Sequence, residues 1–214
     1  VASRPLGLPV QADGVAWWYE GDSLIPMPED VRRKIYEETG VDFSGTICAG
    51  AKLSDIDENA VEVFRAKWIE KSGNTRLKGV EPEQLLRDCE AIIDEGITYA
   101  ALILFGKRAA IRKFLPQAEI VFEYRSSDAS GPASQREEFQ SGFFSCYNRI
   151  WELINLRNDK QHYQDGFFIY DISTFNERVV REAILNAVSH RMYQMSGSIF
   201  IRQYRDRLEV ESPG

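Results

Sequence analysis

Apolar positions along the chain follow two periods, and they predict a mixture of helices and strands. After Leu53-Ser-Asp-Ile-Asp-Glu58, residues Ala60, Val61, Phe64 and Trp68 recur at helical spacing. Ser54 or Asp55 is placed to cap that helix and Gly73-Asn74 to end it. Pro82 to Ile93 repeats the pattern with Leu85, Leu86, Cys89, Ile92 and Ile93 inward. Arg136 to Asn158 predicts a long amphipathic helix carrying Phe139, Phe143, Tyr147, Ile150, Trp151 and Ile154. Asn176 to Tyr193 predicts the last helix, and shorter ones are expected over Glu29 to Glu38 and Ala109 to Phe114. Ala118-Glu-Ile-Val-Phe-Glu-Tyr124 alternates and is the clearest strand. Val15 to Tyr19 and Gly166 to Asp171 are further strands, and Ser198 to Arg202 with Leu208 to Glu211 form a hairpin. Ile97 to Phe105 is almost wholly apolar; it fits a buried helix or a buried strand, and periodicity does not decide. The fold class expected is α+β.

Breaks in the pattern suggest how the chain divides. Pro5, Gly7, Pro9 and Gly14 make the first segment turn-like, and Ser126 to Ser134 is the best internal linker. The expected divisions are 1–28, a boundary or exit segment; 29–125, a mixed middle region; and 135–214, a final α/β module. The sequence starts at Val1 without a signal pattern and stops just after a strand, so it reads as a fragment of a longer protein.

Composition narrows the function classes. The 214 residues are 43% hydrophobic and 28% charged, which excludes collagen-like and disordered chains. The longest apolar run, Tyr99 to Phe105, is far short of the ~18 residues that span a bilayer. A net charge of −7 argues against a surface that coats DNA nonspecifically. Arg32-Arg33-Lys34 and Lys107-Arg108 are small basic clusters, read as solvated faces. Trp17, Trp18 and Tyr19 are read as sheet packing rather than a base-stacking platform. Cys48, Cys89 and Cys146 are widely spaced among apolar neighbours, as buried thiols in a reducing cytoplasm would be. With no Cys-x-x-Cys and only His162 and His190, zinc is not expected, and no triad pattern is present.

The last predicted helix carries the candidate chemistry. Most of it is apolar or small, which predicts a largely buried helix. Glu182, Asn186 and His190 recur every four residues and so share one face. Such a stripe is either a solvated face or a site. As a site, the carboxylate would orient or deprotonate water, and the amide oxygen one turn on would ligate a hard cation bridging phosphates.

These residues sit in a longer resemblance. Arg181-Glu-Ala-Ile-Leu-Asn-Ala-Val-Ser-His-Arg-Met-Tyr193 resembles the "R-E-A-l-x-N-A-v-x-H-R-D-Y" signature of bacterial transcriptional regulators related to RecG-like helicases. Trp17 to Ser23, Leu53 to Asp57, Ile97 to Lys107 and Arg207 to Gly214 resemble further segments of that family in the same order. The family joins a Schlafen AlbA-type DNA-binding domain, a divergent GHKL-like ATPase module and a winged helix-turn-helix. The resemblance implies that 1–28 is the exit of the AlbA-type domain and 135–214 a partial GHKL-like α/β sandwich. It implies Glu182 as general base and Asn186 as Mg²⁺ ligand, with His190, Ser212 and Gly214 beside the nucleotide. Ser212 falls where the family has an adenine-reading acid, and Met192 replaces its Asp. ATP and Mg²⁺ are the cofactors implied for the intact protein. None is expected to be held by this stretch alone, which lacks the family's lid and second glycine motif. DNA is the implied partner, with a homodimer as the assembly. The competing readings are a regulator, an ATPase working through Glu182, and a degenerate module that dimerises or senses a ligand.

Overall fold

The computed structural model describes residues 9–12, 15–20, 23–28, 31, 42–94, 96–126 and 131–213. The chain divides into two compact units, Val1–Phe43 and Ser44–Gly214. In the first, strands β1 (Gln11–Ala12), β2 (Val15–Glu20) and β3 (Ser23–Pro26) form an antiparallel meander. Its small core is Ala16 and Met27, with Val31 packed against them. Trp18 and Tyr19 are exposed here, not packed in the sheet as their alternation suggests. The helix expected over Glu29 to Glu38 and the Arg32-Arg33-Lys34 cluster lie outside the described residues, Val31 apart.

The second unit holds six α-helices among the described residues and a mixed sheet, which makes the class α+β. The helices are α1 (Glu58–Ser72), α2 (Pro82–Asp88), α3 (Tyr99–Phe105), α4 (Arg108–Phe114), α5 (Phe143–Asn155) and α6 (Glu177–Ser189). The apolar run therefore resolves into a helix. Thr98 starts α3: its hydroxyl accepts from the Ala101 amide at 3.2 Å and donates to the Ala91 carbonyl at 2.9 Å. Asp57, rather than Ser54 or Asp55, caps α1 by accepting from the Asn59 amide. Its second oxygen takes the Ser145 hydroxyl at 2.9 Å, joining the starts of α1 and α5. Lys107, expected on a solvated turn, donates to the Ser54 carbonyl at 2.9 Å.

Strands β6 (Ile120–Tyr124), β7 (Gln135–Phe139), β10 (Ile199–Gln203) and β11 (Leu208–Glu211) make a sheet of order β11-β10-β6-β7. β6 and β10 pair in parallel; the outer pairings are antiparallel. Side chains alternate across the sheet, so Ile120, Phe122, Ile199, Ile201 and Gln203 share one buried face. Gln203 donates from that face to the carbonyls of Ile154 and Arg157, which anchors the end of α5. Two small hairpins complete the unit: β4 (Ile92–Ile93) with β5 (Gly96–Ile97), and β8 (Lys160–Asp165) with β9 (Phe168–Ser173), turned at Gly166 with φ +62°.

Two expectations change. The helix expected from Arg136 begins only at Phe143; the residues before it pair with β6 as β7. The helix expected to reach Ile93 ends at Asp88, because Glu90 is left-handed (φ +58°) and Ile92–Ile93 pair with Gly96–Ile97. The two compact units divide at Phe43–Ser44. The stretch 126–134 joins two neighbouring strands of one sheet, and β6 is an interior strand there. Strand β6 thus shares its sheet with three strands of 135–214.

Candidate functional site

Helix α6 begins at a well-made cap. The Asn176 side chain accepts from the amides of Arg178 and Val179 at 3.0 and 3.3 Å. Replacing Asn176 by alanine is expected to lower stability by about 1 kcal/mol. Urea midpoints with an unchanged slope would measure it, and an unmoved midpoint would show the cap to be dispensable.

Val180, Ile184 and Val188 form the buried stripe of α6, which packs against α5, β10 and β11. The helix is amphipathic rather than largely buried: Val179 is 67% exposed, and Ala183 also faces outward. Glu182, Asn186 and His190 all lie on the exposed face. Their side chains make no hydrogen bond or ion pair among the described residues. The polar network that burial would have required is therefore not needed. His190 closes the helix, its amide donating to the Asn186 carbonyl. Ser212 is half-buried, and Gly214 lies outside the described residues. The two ends of the candidate set are joined through backbone, because the Met192 amide donates to the Pro213 carbonyl at 3.2 Å. The structure thus brings His190 and the Ser212 segment to the same end of α6, with Asn186 one turn and Glu182 two turns away.

Arg191, next to His190, is structural. It is 5% exposed, and Nη2 donates to the carbonyls of Gln117, Met195 and Gly197. Burial holds its pKa below the usual arginine range. Its guanidinium lies 4.7 Å from the Tyr193 ring centroid, and the Tyr193 hydroxyl donates to the Val188 carbonyl.

A groove opens between α1, the start of α5 and the first turns of α6. It encloses about 960 Å³, and Glu182 lies on its wall. The rings of Phe64, Trp68, Phe144 and Tyr147 make its floor, each half-buried. Arg181 stacks 4.0 Å from the Tyr147 centroid, bonds Glu177 at 2.7 Å and donates to the Tyr147 carbonyl at 3.2 Å. Reading the sequence misses this groove. Phe64, Trp68 and Tyr147 have helical spacing and are taken as core; only their partial exposure marks them as surface.

Cys48, Cys89 and Cys146 are free, and burial raises each pKa, that of Cys146 to about 12. Among the described residues no group of three or more His, Cys, Asp or Glu could hold a metal ion. No helix among them is long and apolar enough to cross a membrane.

Comparison with known proteins gives a partial match. A family model described as a domain of unknown function (DUF8451) matches residues 33–121, less than half of the chain. That match stops short of α5, α6 and the β10–β11 hairpin. No curated protein matches the chain. The crystal structure of the DIP2311 protein from Corynebacterium diphtheriae is similar, with a TM-score of 0.62 and 23% identity over 94% of this chain. The chain spans 39% of that protein, and the likeness is one of fold.

Proposed function

We propose that the chain is part of a bacterial DNA-binding transcriptional regulator that carries a divergent GHKL-like ATP-binding module. One observation carries the reading. Glu182 and Asn186 stand one turn apart on the outward face of α6, unengaged among the described residues, while the hairpin end bearing Ser212 is tied back to that helix through Met192 and Pro213. An unengaged carboxylate and amide at this spacing fit a magnesium-bound nucleotide. Asn186 would ligate the ion through its amide oxygen, and Glu182 would orient an attacking water. The cation supplies charge neutralisation at the phosphates. Ser212 offers adenine a hydroxyl in place of a carboxylate, which weakens that contact. DNA is the partner of the full-length protein, a homodimer its assembly and the cytoplasm its compartment, where free thiols such as Cys48, Cys89 and Cys146 persist.

Nucleotide titration of the full-length protein, with and without Mg²⁺, tests this reading. Mg²⁺-dependent ATP binding should weaken about tenfold or more in Asn186→Ala, as loss of a metal-site partner does. Glu182→Ala should spare binding and remove any turnover. Absence of binding at millimolar ATP overturns the proposal. Binding without turnover in the wild type favours ligand sensing over catalysis. DNA affinity is to be measured separately as a function of salt, since phosphate contacts set its slope.

A further inference from the structure

The reading above gives the phosphates partners but leaves the base with little more than the Ser212 hydroxyl. The groove on the other side of Glu182 has what a base requires. Its rings run in a continuous row: Trp68 and Phe64 have centroids 5.3 Å apart, Phe64 and Phe144 5.2 Å, and Phe144 and Tyr147 5.7 Å. Arg181, stacked on Tyr147, closes one end. Neighbouring side chains cover each ring only in part, so the row presents aromatic surface that a planar ligand would bury. The volume, about 960 Å³, is that of a small-ligand site.

The charges on the walls are selective. Lys67 is engaged by Glu70 and Arg181 by Glu177, each pair at 2.7 Å. That leaves Lys71 and Arg178 as lining cations without a partner among the described residues, and Glu182 as the corresponding carboxylate. Two unengaged cations suit a phosphate group. Glu182 repels one unless a divalent cation lies between them. An extended nucleic acid strand fits less well, because the walls also carry Glu70 and Glu177 and the chain has a net charge of −7.

We infer that this groove holds a nucleoside phosphate, with the base stacked on Trp68 and edged by Phe64 and Phe144, successive rings tilting by 46° and 61°, and the phosphates between Lys71 and Arg178. The inference rests on the nucleotide-binding reading above and moves base recognition from Ser212 to the aromatic floor. Stacking accepts any base, so ATP and GTP should bind alike and both better than CTP, whose ring is smaller.

Calorimetric titration of the 214-residue chain with ATP, GTP, CTP and a short oligothymidylate tests it. Trp68→Leu and Phe144→Leu should each weaken ATP binding by about tenfold, the loss expected for one stacked base. Trp68→Phe should restore most of it, which separates stacking from a folding defect. Lys71→Glu with Arg178→Glu should weaken ATP much more than adenosine. ATP binding that survives both aromatic truncations, or oligothymidylate binding tighter than ATP, overturns the inference. Binding lost in Asn186→Ala but not in Trp68→Leu defeats the groove and leaves the earlier reading standing. Binding lost in Trp68→Leu but indifferent to Mg²⁺ and Asn186 does the reverse.

Discussion

Glu123→Gln should cost the second unit about 2–3 kcal/mol at neutral pH and flatten the acid side of its stability profile. Glu123 is 4% exposed on β6, on the sheet face opposite Ile120, Phe122 and Gln203. One oxygen takes Arg136 at 2.7 Å; the other takes Arg125 at 2.9 Å and lies 3.6 Å from Arg202. Arg136 and Arg202 also hold Glu138 and Glu211, so the network spans all four strands of the sheet. Glutamine keeps the shape but leaves the arginines facing one another without the central charge. Breaking a fully buried pair in this way costs about 3–5 kcal/mol. The guanidinium groups are 24–46% exposed and partly reach water, which lowers the figure.

The pH dependence follows from the same contacts. Burial pushes the Glu123 carboxyl up, but the hydrogen bonds and charges of Arg125 and Arg136 outweigh it and hold the group below its ordinary 4.5. A depressed carboxylate contributes stability that is present in full above the unfolded pKa and is lost as pH falls through the folded one. The gap between wild type and Glu123→Gln should therefore be widest at neutral pH and close below about pH 4. Urea unfolding at a series of pH values measures it, and a gap that is constant with pH would show that shape, not charge, is at work.

Glu123 also shows where reading the sequence stops. Its strand is the clearest in the chain, and alternation assigns Glu119 and Glu123 to a polar face. Alternation does not reveal that arginines from β7, β10 and the end of β6 converge on one of those carboxylates, because β10 lies some eighty residues downstream and pairs in parallel. Elements set by local chemistry were legible: α6 from Asn176, the β10–β11 hairpin, and α1 up to Gly73 (φ +69°). Elements set by pairing were not. Gln135–Phe139 carries an apolar residue four before Phe143 and so passes for a first helical turn, until β6 claims it as a strand. Lys160–Asp165 is polar throughout and is a strand only because β9 lies beside it. Ser126 to Ser134 has the composition of a linker, yet its two ends are held together by the β6–β7 ladder. At the candidate site, the spacing of Glu182, Asn186 and His190 correctly placed them on one face. Whether that face was buried depended on which side of α6 met the sheet, and this is tertiary information.

Gly142→Ala should destabilise the second unit by about 3 kcal/mol, at the upper end of overpacking. Gly142 stands at the N-cap of α5, and its φ of −56° is open to any residue, so backbone strain is not the reason. Space is. A Cβ there would lie 2.5 Å from the Gly106 nitrogen, 2.6 Å from that of Phe105 and 2.7 Å from the Phe105 carbonyl carbon. All three are backbone atoms, which cannot turn away as a side chain would. The Gly142 amide donates to the Gly106 carbonyl at 2.8 Å, so the two segments are both bonded and in contact. The same segment is held from the other side, where the Asp57 amide donates to the Phe105 carbonyl at 2.7 Å. An added methyl group must push α5 away from the end of α3 or break one of these bonds. Displacing α5 moves Phe144 and Tyr147, half of the aromatic floor beside Glu182. The variant should therefore lose thermal stability and, on the groove proposal above, nucleotide affinity, whereas Gly131→Ala, whose Cβ would meet nothing within 4 Å, should lose neither. A Gly142→Ala protein as stable as the wild type would mean that the α3–α5 contact is looser than these distances state.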